Sequence, residues 1–298
     1  MTLPRAGLLM LMACVVMVGG CSSPARQPAA PVDVQLNQLN RAGRAAFDAG
    51  QYELSARLYG QALERAYLRD DSSAAADAAY NAAAALSRHR AFDAAMDRLN
   101  EAGRNAADLP VDPAASIARL RLAILIEQAR HDQADTLLTE LLQQANRTAE
   151  AHRDLKLHQA DLAIRRGDRA GADRLMAALG QMNSSDPARL MVQARYDRLR
   201  GDHAAAATMF EQAADVYRQR FHYAAMARAL AEAAESTAAS GDPAVAVDLW
   251  LRAARSARLQ GFDTWDQQWR AKARAAAAST GDAQLLDRVQ REQGDDGS

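Results

Sequence analysis

One spacing of small and large apolar residues recurs along the chain. Six times a small residue is followed four positions later by a large apolar one, and three positions further on by Ala or Leu. Residues at these spacings share one face of a helix, where the small residue lets a neighbouring helix approach and the large one fills the groove beside it. The sets are Ser55/Tyr59/Ala62, Ala95/Leu99/Ala102, Ala134/Leu138/Leu141, Ala172/Met176/Leu179, Ala206/Phe210/Ala213 and Ala246/Trp250/Ala253.

The distance between these sets indicates a structural repeat. Their first members lie 40, 39, 38, 34 and 40 residues apart, and such a period is typical of arrays of helical hairpins. Gly suits the left-handed position that closes a helix, and Asp accepts backbone N–H bonds at the start of the next one. Such pairs occur at Gly167-Asp168, Gly201-Asp202, Gly241-Asp242 and Gly281-Asp282, with Gly50-Gln51 as a variant. Each unit is therefore predicted to be a helix, a tight turn and a second helix.

These residues resemble the tetratricopeptide (TPR) repeat. The first unit matches the family at Gly43, Gly50, Tyr52, Tyr59 and Ala62, and the second at Leu86, Phe92, Ala95, Leu99 and Ala102. Ser55 departs from the usual Ala, and His131 and His203 replace the aromatic residue after the turn. Over residues 37–290 the resemblance implies an all-α fold, a right-handed superhelical array (α-solenoid) of about six TPR-like hairpins plus a C-terminal capping helix.

The first residues have the pattern of a bacterial export signal. Arg5 precedes an uncharged, mostly apolar run over residues 6–20, which is shorter than the roughly 20 residues that span a bilayer. The run ends in Val18-Gly19-Gly20-Cys21 and resembles the lipobox of lipoproteins, whose Cys is acylated after cleavage. An ordinary secretory signal with an incidental Cys is the alternative. We expect residues 1–20 to be a lipoprotein signal peptide and Cys21 to be lipidated.

The segment after Cys21 predicts where the protein is held. Ser22 stands where an Asp commonly signals inner-membrane retention in such lipoproteins, so the resemblance implies a lipid anchor in the outer membrane, facing the periplasm. Residues 21–36 are predicted to be the lipidated Cys and a Pro/Ala-rich tether, and residues 291–298 a disordered acidic tail. Cys14 leaves with the signal peptide, so no disulfide is expected.

Charge and motifs argue against several functions. The formal net charge is −1 with both signs interspersed, whereas nucleic-acid binding favours a basic stripe. The sequence contains no Gly-x-Ser-x-Gly elbow, Walker loop or zinc-protease pair. We therefore predict that the protein is not an enzyme and uses no cofactor or metal, and His131 and His203 are expected to pack.

The first helices of the hairpins supply the candidate binding residues. In TPR arrays these helices line the concave groove, so the resemblance implies an exposed partner-binding groove there, with ordinary solvated positions as the alternative. It would be Arg-rich early and Glu-bearing late, an asymmetry that favours one orientation of an extended peptide. The candidates are Arg41, Arg44, Tyr80, Asn81, Arg88, Arg119, Asp161, Arg195, Arg198, Glu232 and Glu235.

A second candidate site is aromatic. Trp265 and Trp269 are four residues apart and so share a helix face. They are predicted either to pack between the last hairpin and the capping helix or to form an exposed aromatic patch that docks a partner.

The sequence favours an outer-membrane-anchored, periplasm-facing TPR lipoprotein that acts as a non-enzymatic protein–protein interaction scaffold or adaptor in cell-envelope biogenesis. Its partners would be envelope proteins. The alternative is a periplasmic TPR binding module that encloses a small apolar ligand or lipid for transport. In such a module the apolar segment Leu120–Ile126 would wall the cavity, although a fully buried middle helix explains the same segment more simply. A third class, an enzyme on an α-toroid, would need a central acidic pair that nothing marks. An open groove would favour the scaffold and a closed apolar cavity the ligand binder.

Overall fold

The computed structural model describes residues 33–107, 109, 114–144, 149–180 and 186–294. The predicted signal peptide, Cys21, most of the tether and residues 295–298 lie outside the described residues. No helix in the described part is long and apolar enough to cross a membrane.

The described chain forms fourteen α-helices and contains no strand. Helical structure begins and ends slightly beyond the predicted array, at Val34 and at Gly294. The helices are α1 (Val34–Asp48), α2 (Tyr52–Tyr67), α3 (Ser72–Arg88), α4 (Phe92–Ala106), α5 (Ala114–Glu127), α6 (His131–Gln144), α7 (Ala149–Arg165), α8 (Arg169–Leu179), α9 (Pro187–Arg200), α10 (His203–Gln219), α11 (Tyr223–Ala239), α12 (Pro243–Arg258), α13 (Asp263–Thr280) and α14 (Ala283–Gly294).

Successive helices from α2 to α14 pack against one another, and Ser55 Oγ on α2 donates to the Gly43 carbonyl of α1 at 2.8 Å. The predicted all-α array of six hairpins is therefore confirmed for α1 to α12. After α12 the structure has two helices, α13 and α14, whereas the sequence predicts a single capping helix. The two are joined at Gly281-Asp282, where the Asp282 carboxylate accepts bonds from Gln284 N and Leu285 N at 2.8 and 3.2 Å. The same turn chemistry therefore produces a seventh pair.

The repeated small and apolar positions form the core between helices. Every member of the six sets is buried except Leu179, which is half-buried. Ala206 and Phe210 are fully buried, in a cluster that extends from α9 to α14. A side chain as large as Phe210 contributes several kcal/mol to the free energy of unfolding when it is removed from water and closely packed.

Left-handed residues close the hairpins, as predicted, but the Asp caps are not uniform. Gly167 has φ +73°, and the Asp168 carboxylate accepts a bond from Gly171 N at 2.9 Å. Asp242 caps α12 in the same way through Val245 N. The prediction is wrong for Asp202, whose side chain makes no cap hydrogen bond and instead lies 3.9 Å from the Arg200 guanidinium.

The array curves until its early and late hairpins touch. At the turn between α1 and α2, a Cβ built on Gly50 would lie 3.0 Å from the Phe221 carbonyl oxygen, which belongs to the turn between α10 and α11. Further along, the His89 and Phe262 rings have centroids 5.9 Å apart. The first helices of the hairpins therefore surround a central space.

Gly50→Ala tests this closure, and Gly167→Ala is its matched control. The two glycines have almost the same φ, +74° and +73°, so both substitutions carry the left-handed strain of roughly 1 to 2 kcal/mol. Only Gly50 also faces a neighbouring backbone, since a Cβ on Gly167 would meet nothing within 4 Å. Chemical denaturation should show the larger loss of unfolding free energy for Gly50→Ala. Equal losses would mean that the two turns are not in contact.

Candidate functional site

The central space is a chamber of about 460 Å³ that residues from both ends of the array line. One part of its wall is apolar and aromatic, and the other is charged. The lining residues include Phe47, Tyr52, Tyr80, Arg88, Arg90, Phe92, Leu120, Ile126, Glu127, Leu157, His158, Asp161, Arg165, Met191, Val192, Arg195, Tyr217, Arg228 and Trp265.

Trp265 brings α13 into the chamber wall. Its ring centroid lies 5.0 Å from that of Trp269, and the Arg90 guanidinium carbon lies 4.7 Å from its centroid. The same guanidinium lies 4.8 Å from the Phe92 ring centroid. Arg90 is thus held between two aromatic rings by cation–π attraction, which links the second hairpin to α13.

Glu127, at the end of α5, joins three arginines from different parts of the array. Its carboxylate oxygens lie 2.6 Å from Arg228 Nη1, 3.2 Å from Arg90 Nη1 and 3.4 Å from Arg165 Nη2. Burial alone would raise the pKa of Glu127, but the charges of Arg228 and Arg165 outweigh it and lower that pKa to about 2. Glu127 is therefore ionised and paired at neutral pH.

A second carboxylate cluster surrounds Arg195 on α9. Arg195 Nη1 donates to Asp161 at 3.1 Å and Nη2 donates to Glu232 at 2.6 Å. Burial disfavours the charged guanidinium, yet Glu232 and Asp161 more than offset it and raise the pKa of Arg195. Burial likewise opposes ionisation of Glu232, but Arg195 lowers its pKa to about 2. Arg195 is therefore paired with two carboxylates of the same chain.

The charged residues continue as a ladder across neighbouring first helices. Arg165 Nε donates to Asp161 at 2.9 Å, which connects the two clusters. On the other side, Arg198 lies 3.0 Å from Glu232 and 3.5 Å from Glu235, and Lys272 pairs with Glu235. The ladder joins α5, α7, α9, α11 and α13 along one edge of the chamber.

The structure brings together only part of the predicted groove. The late candidates Asp161, Arg195, Arg198, Glu232 and Glu235 meet in the ladder. The expectation that Asp161 and Arg195 are exposed to a partner is wrong, because their residue surfaces are only 6% and 8% exposed. The acidic residues of the late groove face arginines and Lys272, which already neutralise them. An extended peptide would therefore meet no unpaired acidic residue among the late groove candidates.

The early candidates are placed differently. Arg41, Arg44, Arg88 and Arg119 are exposed, and Tyr80 and Asn81 are half-buried. None of the four arginines makes an ion pair within the described part of the chain, although Arg41 Nε donates to the Asn37 carbonyl at 3.3 Å. Of the four, Arg88 alone lines the chamber.

The prediction that Trp269 belongs to an exposed aromatic patch is wrong. That residue is 6% exposed and packs in the late core cluster, as the core-packing alternative predicted. Trp265 is half-buried and lines the chamber.

Sequence reasoning missed Arg90, Glu127, Arg165 and Arg228. A signal was present, because opposite charges recur at about the repeat distance. Glu127 and Arg165 are 38 residues apart, and Asp161 and Arg195 are 34 apart. Residues one repeat apart lie at equivalent heights on adjacent first helices, so alternating charges there predict internal pairs.

Three tyrosines of the chamber have hydroxyls with no hydrogen-bond partner among the described residues: Tyr52, Tyr80 and Tyr217. Burial raises the pKa of Tyr52 and Tyr217, and the positive charge of Arg88 opposes that rise in both. Arg88 lines the same chamber as both tyrosines, which come from α2 and α10. Within the described residues, no group of His, Cys, Asp and Glu is arranged to hold a metal ion.

The fold is similar to that of several TPR proteins of known structure. A TPR protein from Parabacteroides merdae is 12% identical, with 87% of this chain and 98% of that chain covered and a TM-score of 0.45. PilW, a type IV pilus biogenesis factor, is 14% identical, with 87% and 100% covered and a TM-score of 0.48. PilF of Pseudomonas aeruginosa is 17% identical, with 80% and 97% covered and a TM-score of 0.42. These similarities concern the fold alone.

No family model matches the chain, and no curated protein matches it.

Proposed function

We propose that this protein is a non-enzymatic, lipid-anchored protein-binding scaffold of the cell envelope, held at the outer membrane and facing the periplasm. The observation that supports it best is the set of unpaired arginines on the first helices of early hairpins. Arg41 and Arg44 lie on α1 and Arg119 lies on α5, all exposed and without an acidic partner in the described residues.

These arginines favour an acidic partner segment. A guanidinium offers several donors in a fixed plane and binds carboxylates in pairs of hydrogen bonds. On α1 the two arginines lie three positions apart, so they share a face and present two such groups together. Surface charges of one sign also speed the encounter with an oppositely charged partner.

The late hairpins are less suited to this role. Arg195 and Arg198 already bind Glu232, so a partner there would have to replace bonds that exist in the free protein. Breaking a buried pair leaves a charge without compensation, which is strongly unfavourable. We therefore place the partner on the first hairpins.

The anchor rests on the sequence. Cys21 follows an apolar export-type segment and small residues, and Ser22 follows Cys21. Multiple acyl chains provide stable membrane attachment, whereas one chain is marginal.

The double variant Arg41→Glu/Arg44→Glu tests the scaffold function. We expect about a tenfold loss of crosslinked partner from envelope fractions, because two attractive contacts become repulsive. The matched control is Arg174→Glu/Arg252→Glu, two exposed arginines on the second helices α8 and α12 that also make no ion pair in the described residues. Both variants should melt like the wild type, since exposed substitutions rarely change stability by more than about 0.5 kcal/mol. Equal capture by both variants would contradict a partner on α1.

The same cells test the anchor through Cys21→Ser. That variant should keep its signal peptide and lose label from a fatty-acid probe, while wild type is labelled and fractionates with the outer membrane. Unlabelled wild-type protein in the periplasmic extract would refute the anchor and leave the binding function standing.

A second candidate function is that of a module that encloses a small ligand. The chamber supports this function, and its lining indicates the chemistry of the ligand.

A further inference from the structure

The chamber has the size of a small-molecule site. Its volume of about 460 Å³ lies within the range of about 300 to 1,000 Å³ that such pockets occupy. The turns of early and late hairpins meet around it, as the short approach of Gly50 to Phe221 shows. A long polypeptide would not fit inside, so the size favours a small occupant.

The lining carries an excess of positive charge. Among the described residues it includes five arginines, Arg88, Arg90, Arg165, Arg195 and Arg228, but only two carboxylates, Glu127 and Asp161. Four of these arginines are held in the ladder of ion pairs. Arg88 is not, and it is exposed within the same lining. An anion that enters the chamber therefore meets one unpaired guanidinium and a favourable field.

Hydrogen-bond donors accompany Arg88. The hydroxyls of Tyr52 and Tyr217 have no partner in the described residues, and both tyrosines line the same chamber as Arg88. A ligand oxygen that accepts from these hydroxyls forms hydrogen bonds that the described residues do not supply. This set suits a carboxylate.

The remaining wall is apolar. Leu120, Met191 and Val192 come from α5 and α9, and Trp265 closes the wall from α13. A fully hydrated ion such as acetate would leave this surface without a contact. An apolar body attached to the anion would cover this surface and remove it from water.

We infer that the chamber is a binding site for a small amphipathic carboxylate, with the anion at Arg88 and the tyrosine hydroxyls and the apolar body against Leu120, Met191 and Trp265. This site goes beyond the scaffold function, because it uses none of the exposed arginines of α1. Loss of either function therefore leaves the other measurable.

The test uses the full-length protein in lipid nanodiscs, titrated with octanoate by isothermal calorimetry against empty nanodiscs. We expect one octanoate per chain. Acetate lacks the apolar body, octanol lacks the charge and octylammonium has the opposite charge, so each should bind at least tenfold more weakly. No protein-specific heat with octanoate, or equal binding of octylammonium, would overturn the inference.

Variants of the lining residues test whether the ligand binds in the chamber. Arg88→Gln should weaken octanoate binding by about tenfold or more, because it removes a charge-assisted hydrogen bond. Ala225→Trp and Ala84→Trp, at half-buried positions of the lining, should fill the space and abolish binding. Arg252→Gln, outside the lining, should bind as the wild type does. Circular dichroism and melting confirm that each variant is folded.

Two results would contradict the placement. Wild-type affinity in both Trp variants would put the ligand elsewhere on the protein. An acetylated tripeptide with apolar residues that binds tightly where octanoate does not would identify a peptide terminus as the occupant, and would overturn the small-ligand inference.

Discussion

Arg195→Met is expected to lower the free energy of unfolding by about 3 to 5 kcal/mol. The substitution removes the guanidinium that pairs with Asp161 at 3.1 Å and with Glu232 at 2.6 Å. Both carboxylates then remain in a poorly hydrated environment with fewer donors, and the cost of burying an uncompensated charge dominates. Chemical denaturation at pH 7 measures the loss.

Arg166→Met is the matched control for this prediction. Arg166 also joins two carboxylates, Asp132 at 2.9 Å and Asp135 at 3.3 Å, but the Asp132 side chain is fully exposed. Surface pairs of this kind contribute about 0 to 1 kcal/mol, so the control should be nearly as stable as wild type. Equal losses in the two variants would show that Arg195 is hydrated like Arg166 and would remove the basis for a buried ladder.

The same ladder separates two roles within the first helices. Its paired residues hold α5, α7, α9, α11 and α13 in register, while the unpaired Arg41, Arg44 and Arg88 remain available to other molecules. Helix register alone does not distinguish the two groups, because all of them occupy polar positions on first helices. What separates them is whether the neighbouring first helix supplies an opposite charge at the same height.

Local patterns predicted the array well. The spacing that places Ala206, Phe210 and Ala213 on one face depends on helix geometry alone, and all three are buried. The Gly167-Asp168 turn depends on four consecutive residues, and its cap forms as predicted. The helix cap predicted at Asp202 was wrong because the nearby Arg200 offered the Asp202 carboxylate an alternative ion pair. A turn pattern does not include such a neighbour.

Non-local features were harder to predict. The contact between Gly50 and Phe221 depends on the accumulated rotation of four hairpins, which unequal repeat lengths make difficult to compute from sequence. The chamber follows from that contact and was therefore predicted only as an alternative. Arg195 was assigned to the inner face correctly, but its burial depends on Asp161 and Glu232, on the two flanking first helices. Comparing charges at the repeat distance would have indicated these pairs.

Acidification is expected to destabilise the protein strongly between about pH 4.5 and pH 2. Glu127 and Glu232 each have a pKa of about 2 in the folded protein, against an ordinary value of 4.5. Because the folded pKa lies below the unfolded one, each carboxylate contributes stability that is fully present above pH 4.5 and is lost as the pH falls towards 2. A shift of this size corresponds to on the order of 3 kcal/mol for each group.

Glu127→Gln isolates one of these two contributions. The variant should be less stable than wild type at pH 7, because Arg228 loses the carboxylate at 2.6 Å, but its free energy of unfolding should fall less steeply between pH 4.5 and pH 2. The slope should decrease by up to about 1.4 kcal/mol per pH unit, since one fewer proton is taken up on unfolding. Glu53→Gln is the control for removal of a surface carboxylate, because Glu53 is two-thirds exposed and its pair with Arg57 is of the kind that contributes about 0 to 1 kcal/mol. Denaturation series across this pH range measure all three slopes. A Glu127→Gln slope equal to that of wild type would mean that Glu127 titrates alike in the folded and unfolded chains, and that the arginines around it do not hold its charge.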